Sequence, residues 1–147
     1  NIEEEVMRIV GLIIGLGLII AGTFMGGTFQ SFVDIPSVLI VVGGTLGVYL
    51  FSGSYVVLLA RSAFSSDLSQ GELQTAVTLW KRLRRFLMAI GWISFLIGFV
   101  ALLQYMPDAA DSLGPGLATA LITVFYSSVL SYVVCLPIQL HLEDSLS

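Results

Sequence analysis

Residues 70–106 read QGELQTAVTLWKRLRRFLMAIGWISFLIGFVALLQYM. The stretch opens with a Ser69-to-Glu72 spacing that fits a capping box, the signature of a helix start. Leu73, Ala76, Val77, Trp80, Leu83 and Leu87 then recur at helical spacing. Lys81, Arg82, Arg84 and Arg85 follow, and after them no charge appears before residue 107. A helix that is amphipathic at its start and wholly apolar at its end leaves water and enters lipid. The pattern predicts one continuous helix on the order of 55 Å long, at 1.5 Å per residue. Its first part is a short amphipathic cytoplasmic helix and its second part a membrane span.

The rest of the chain has the same character. Of 147 residues, 56% are hydrophobic and 11% charged, and mean hydropathy is +0.97. A soluble domain carries about 25% charged residues, so the composition defines a membrane protein. Four apolar runs reach the roughly 20 residues that cross the hydrocarbon core: about 6–27, 36–60, 86–106 and 113–138. Lipid offers the backbone no hydrogen-bond partner, so each run must be helical. The predicted fold is all-α and polytopic, with four transmembrane helices in a single domain spanning residues 1–147 and a central loop at 61–85. Glu3, Glu4 and Glu5 precede the first run, unlike the basic start of a cleavable signal.

Five of the six lysines and arginines lie between runs two and three, and Arg8 lies at the start of run one. The two remaining connections carry Asp34, Asp108 and Asp111 and no basic residue. The positive-inside rule then places both termini and the central loop in the cytoplasm. The basic cluster Lys81, Arg82, Arg84 and Arg85 has two readings: an anchor reaching anionic headgroups, or a contact for a protein partner.

Small residues form seams. Gly11, Gly15, Gly22 and Gly26 mark one side of run one, Gly43, Gly44 and Gly47 sit in run two, and Gly91, Ser94, Gly98 and Ala101 sit in run three. Membrane helices associate where small residues allow close backbone approach. Packing within one monomer uses some of these seams; seams on three runs favour a homo-oligomer. Run four carries Gly116, Ala120, Thr123, Ser127, Ser131 and Cys135 as a slowly drifting stripe. Its hydroxyls either bond back to their own helix or face a polar partner or a wet crevice, and the residues alone leave both open.

Several function classes fall away. No Asp, Glu, Lys, Arg or His lies in the middle of any run, so the chain lacks the membrane-depth group that an ion relay needs. A relay would have to take its carboxylate from a second protein. The lone His141 beside Glu143 and Asp144 is a weak metal or catalytic pattern, and no nucleophile–base pair, phosphate loop or metal spacing is present. The sequence implies no enzyme, no cofactor, no metal and no nucleic-acid partner, and Cys135 reads as buried filler.

FVDIPSVLIVVGGTLGVYL at residues 32–50 resembles the second-span entry of the MotA and PomA stator proteins. AIGWISFLIGFVALLQYM at 89–106 is similar to their third span, and LGPGLATALITVFYSSVLSYVVCLPIQLHLE at 113–143 to their fourth. The chain thereby resembles the MotA-like branch of the MotA/TolQ/ExbB proton-channel superfamily. The resemblance implies an A-type subunit in the bacterial inner membrane. Five copies would surround two copies of a single-span B-type partner, which brings the ion-carrying aspartate and a periplasmic domain. Spans three and four would line the central cavity, and Thr123, Ser127 and Ser131 would face the neighbouring subunit and the partner helix. Pro137 matches a family proline. The family's other proline position holds Met88, and its threonine positions hold Phe95 and Val124, with Thr123, Ser94 and Ser127 as possible substitutes. The cytoplasmic loop is short. These departures support an alternative: a non-conducting scaffold, assembly factor or anchor that keeps the ring architecture.

Overall fold

The computed structural model describes residues 2–25, 33–51, 55–64, 68–104 and 113–146. Every element among them is helical: α1 (Ile2–Met25), α2 (Ile35–Phe51), α3 (Tyr55–Phe64), α4 (Gln70–Gln104), α5 (Leu113–Ser128), a π-helical segment (Val129–Cys135) and α6 (Leu136–Asp144). Two continuous helices are long and apolar enough to cross a membrane, Gln70–Gln104 and Leu113–Asp144. The apolar parts of α1 and α2, Val10–Met25 and Ile35–Gly47, are shorter. The second predicted run corresponds to α2 and the start of α3, with residues 52–54 outside the described set.

The 35-residue α4 organises the chain. Its capping box forms as the sequence predicts: the Ser69 backbone N–H and hydroxyl donate to Glu72 Oε2 at 3.0 and 2.8 Å, and the Glu72 N–H donates back to Ser69 Oγ at 3.4 Å. The same contacts, the Ser69 backbone first and its hydroxyl second, hold the Glu72 carboxyl below its ordinary pKa. Leu73, Ala76, Val77, Trp80, Leu83 and Leu87, the six residues with helical spacing, are all buried, as is Leu79. They pack with Tyr49 at the end of α2, Cys135 and Leu142. The Trp80 indole N–H donates to Ser62 Oγ of α3 at 3.0 Å, and Tyr49 donates to the Leu79 carbonyl at 2.8 Å.

The character of the buried face changes along α4. Up to Leu87 it is apolar and, apart from Ala76, large; the next buried residue is Gly91. The change coincides with the end of the charged residues at Arg85. Where water bathes the helix, burying a large side chain is worth about 1.5–3 kcal/mol. Where lipid surrounds it, that drive vanishes and association depends on close approach of small residues.

α5, the π segment and α6 run back antiparallel along α4. Gly116 lies at Leu102, Ala120 at Gly98 and Ser127 at Gly91. Ser128 lies at Met88, Ser131 at Arg84, and Glu143 at Lys81. The last helix does not end at its proline. Pro137 has no N–H to give the carbonyl four residues back, and its ring would clash with that carbonyl in an α-helix. The preceding turns widen instead into a π-helix, with the Leu136 N–H bonding the Ser131 carbonyl, and the chain continues helical to Asp144. α2 also runs antiparallel to α4, with Gly44 against Ile90. α1 meets the chain along the π segment.

Candidate functional site

The hydroxyl stripe of the last helix converges with the start of α2 and the middle of α4. Asp34 caps α2: its Oδ2 accepts the Ser37 N–H at 2.9 Å, and its carbonyl accepts the Val38 N–H at 3.1 Å. The cap places the Ser37 hydroxyl 2.8 Å from that of Thr123, in a buried hydrogen bond between residues 86 positions apart. Beside it, the Asp34 N–H donates to the Tyr126 hydroxyl at 3.2 Å. Ser127 is 0% exposed and donates to the Thr123 carbonyl at 2.9 Å. Ser131, also fully buried, reaches the Arg84 carbonyl at 3.4 Å.

Thr123, Ser127 and Ser131, which the resemblance turns toward a neighbouring subunit and the partner helix, are buried within the single chain. Thr123 packs against α2, and Ser127 and Ser131 against α4. Both open readings of the stripe apply, one to each residue: Ser127 bonds back to its own helix, while Thr123 meets a polar partner. A buried hydroxyl left unpaired costs about 1–3 kcal/mol, which accounts for the pairing. The missed partner was Ser37. The D-x-x-S spacing at Asp34 to Ser37 carries the cap signal, but no local pattern says what the capped end touches.

The glycines divide into two groups. A Cβ on Gly91 would lie 2.5 Å from Ser127 Oγ and 2.6 Å from Ser127 Cβ; on Gly98 it would lie 3.2 Å from Ala120 Cβ. These two glycines, read from the sequence as oligomer seams, are used inside the chain to seat α5 on α4. A Cβ on Gly116 would lie 2.5 Å from Leu102 Cδ1, so this glycine extends the same α4–α5 seam. Gly11, Gly15, Gly22, Gly43 and Gly47 face open space, and Gly26 lies outside the described residues.

Phe95 is half-buried. It meets Trp92 edge-on with ring centres 5.8 Å apart and stacks on Phe99 at 5.7 Å. Val124 backs onto Gly91 with its Cα 3.5 Å from the Cβ position there. Ser94 and Pro137 are half-buried. Trp92, Ile93, Leu96, Ile97 and Val100 stand exposed on the far side of α4, where Leu96, Ile97, Val100, Ala101 and Gln104 line a shallow apolar groove.

The basic cluster also divides. Lys81 forms an ion pair with Glu143 at 2.6 Å, and Gln139 Nε2 donates to the same carboxylate at 3.1 Å. The Lys81 hydrogen bond is the main cause of a Glu143 carboxyl held below its ordinary pKa. The Arg84 guanidinium lies 5.8 Å from the centre of the Tyr132 ring, a cation–π contact. Arg82 and Arg85 are exposed. Among the described residues, no three of His, Cys, Asp and Glu come together to hold a metal.

The described residues are helical, with two helices long and apolar enough to cross a membrane packed along a buried seam of glycine and hydroxyl groups, which supports a helical membrane protein. No model of a known protein family matches it. Over 74 residues, 50% of this chain, it is 36% identical to Motility protein A of Aquifex aeolicus, and the matched part spans 29% of that protein. The similarity covers half of this chain and less than a third of that relative.

Proposed function

We propose that the chain is the A-type subunit of an ion-driven motor or energy-transducing channel in a bacterial inner membrane. In this reading it is one domain of four crossings, with both termini and the 61–85 segment in the cytoplasm. It forms a homo-oligomeric ring, a pentamer by resemblance, around a single-span B-type partner that brings the ion-carrying aspartate. The observation that carries the reading is the similarity to Motility protein A over half the chain. The geometry is compatible with it. Residues 86–104 and 113–138 contain no Asp, Glu, Lys, Arg or His, and the hydroxyls beside them are already paired within the chain. A desolvated ion without ligands is costly, so its carrier must come from another chain.

One observation favours a second reading, the non-conducting scaffold: Phe95 is packed into an aromatic ladder with Trp92 and Phe99 and has no group that could coordinate an ion. Reconstitution with the single-span partner separates the two. The motor reading expects ion flux that vanishes when the partner's mid-membrane Asp is changed to Asn, and that changes with Phe95→Thr. Absence of flux in both the native chain and Phe95→Thr, with the partner bound, would leave the scaffold.

A further inference from the structure

The two long helices that pack on each other expose opposite edges. On α4, Gly91 faces α5, with Ser127 against it. Arg82 and Val100 each lie nine residues from Gly91. That is about two and a half turns at 3.6 residues per turn, so both lie on the side away from α5, and both are exposed. The last helix repeats the pattern. Ala118 lies nine residues before Ser127, and Asp144 nine residues after Cys135, which packs into the core with α4. Ala118 and Asp144 therefore lie on the side away from α4, and they are exposed as well.

The two edges match in depth. Gly98 lies at Ala120 and Gly116 at Leu102, which sets Val100 level with Ala118. Glu143 lies at Lys81, which sets Asp144 within about 3 Å of Arg82 along the axis, at 1.5 Å per residue. One edge thus carries a cation and a branched apolar side chain about 27 Å apart. The other carries an anion and a small residue at the same two depths. Arg82 is in no ion pair among the described residues.

We infer that neighbouring copies of this chain join along these two edges, with Arg82 of one copy on Asp144 of the next and Val100 over Ala118. The inference deepens the ring reading above and rests on it. Rotation about the membrane normal leaves every residue at its own depth, so groups that meet around a ring must be level. Because the two edges differ, the contact is head-to-tail, the kind that closes rings. Pairing the Arg82 edge with itself would set like charges together, which is unfavourable. An exposed ion pair adds little affinity; here it fixes which edges meet, while Ala118 admits the close approach on which helix association in lipid depends.

The test uses the full chain in its native membrane. Native mass spectrometry first counts the copies: a lone protomer means that the ring reading has failed, and the edge contact with it. Given an oligomer, Val100→Cys with Ala118→Cys should form disulfides between copies on mild oxidation and give a ladder that continues beyond the dimer. Neither single variant should give a ladder, because the native Cys135 is buried. Arg82→Asp should cut the ladder about fivefold, the upper end of what an exposed pair contributes, and adding Asp144→Arg to the same chain should restore it. A second readout leaves the disulfides aside: in Arg82→Lys, carbodiimide should couple position 82 to Asp144 between light and heavy copies when the two isotopic forms are mixed before assembly. An intact oligomer that gives neither the ladder nor the coupling would overturn the inference and leave the ring reading standing. So would efficient dimers from Val100→Cys alone, which would show the edge paired with itself, or a charge swap that restores nothing.

Discussion

Replacing Gly91 by alanine tests the seam that holds α5 on α4. The added methyl would lie 2.5 Å from Ser127 Oγ and 2.6 Å from Ser127 Cβ. Rotating the serine can move its Oγ, at the expense of the 2.9 Å bond to the Thr123 carbonyl, but cannot move its Cβ. The helices must therefore part by about 1 Å to recover an ordinary carbon–carbon contact of roughly 3.5–4.0 Å. Overpacking of this kind costs about 1–3 kcal/mol. The measurement is equilibrium unfolding in dodecylmaltoside micelles with increasing dodecyl sulfate, followed by helical circular dichroism. Gly71→Ala is the control, since a methyl there meets nothing within 4 Å, and it should be neutral or slightly stabilising. In a Ser127→Gly background the cost of Gly91→Ala should fall to near zero, a coupling that a double-mutant cycle isolates. Gly91→Ala as stable as Gly71→Ala, or an equal cost in both backgrounds, would refute the reasoning.

Three further outcomes follow from the same geometry. Ser37→Ala and Thr123→Val should each cost about 1–2 kcal/mol in that unfolding assay, because each leaves a buried hydroxyl unpaired, and the double variant should cost less than their sum; strict additivity would contradict the 2.8 Å pair. Glu143 has a folded pKa below its unfolded value, so its contribution is present above the ordinary carboxylate pKa and is lost as pH falls through the lowered folded value; Glu143→Gln should flatten stability across that acid window, and an unchanged profile would show that the Lys81 pair contributes nothing. Pro137→Ala restores an N–H and should return the π-helical turns to α-helix, turning α6 relative to α5; carbodiimide coupling of Lys81 to Glu143, read by peptide mass spectrometry, should then drop, whereas undiminished coupling would locate the cause of the π-helix elsewhere than at the proline.

Much of this was legible in the sequence where the physics is local. The Ser69–Glu72 cap and the six buried residues from Leu73 to Leu87 follow from spacing, because water enforces the helical period there. The all-helical class follows from composition. What could not be read was which neighbour each small or hydroxyl-bearing residue meets. In lipid every face of a span is apolar, so sequence does not mark inside from outside, and glycines that seat α5 (Gly91, Gly98) look like those that face open space (Gly11, Gly43). Ser37 and Thr123 are 86 positions apart, and no periodicity links them. The π-helix around Ser131 was hidden for another reason: Pro137 signalled a disturbance, but whether a helix ends, kinks or widens at a proline depends on the packing around it.

The central claim, that this chain works as one of several copies around a second protein, is tested most directly by native mass spectrometry of the complex released from membranes. The account predicts a mass of several copies of the chain together with a single-span protein whose membrane segment carries a carboxylate. A lone protomer, with no companion under conditions that keep α4 and α5 folded, would contradict it.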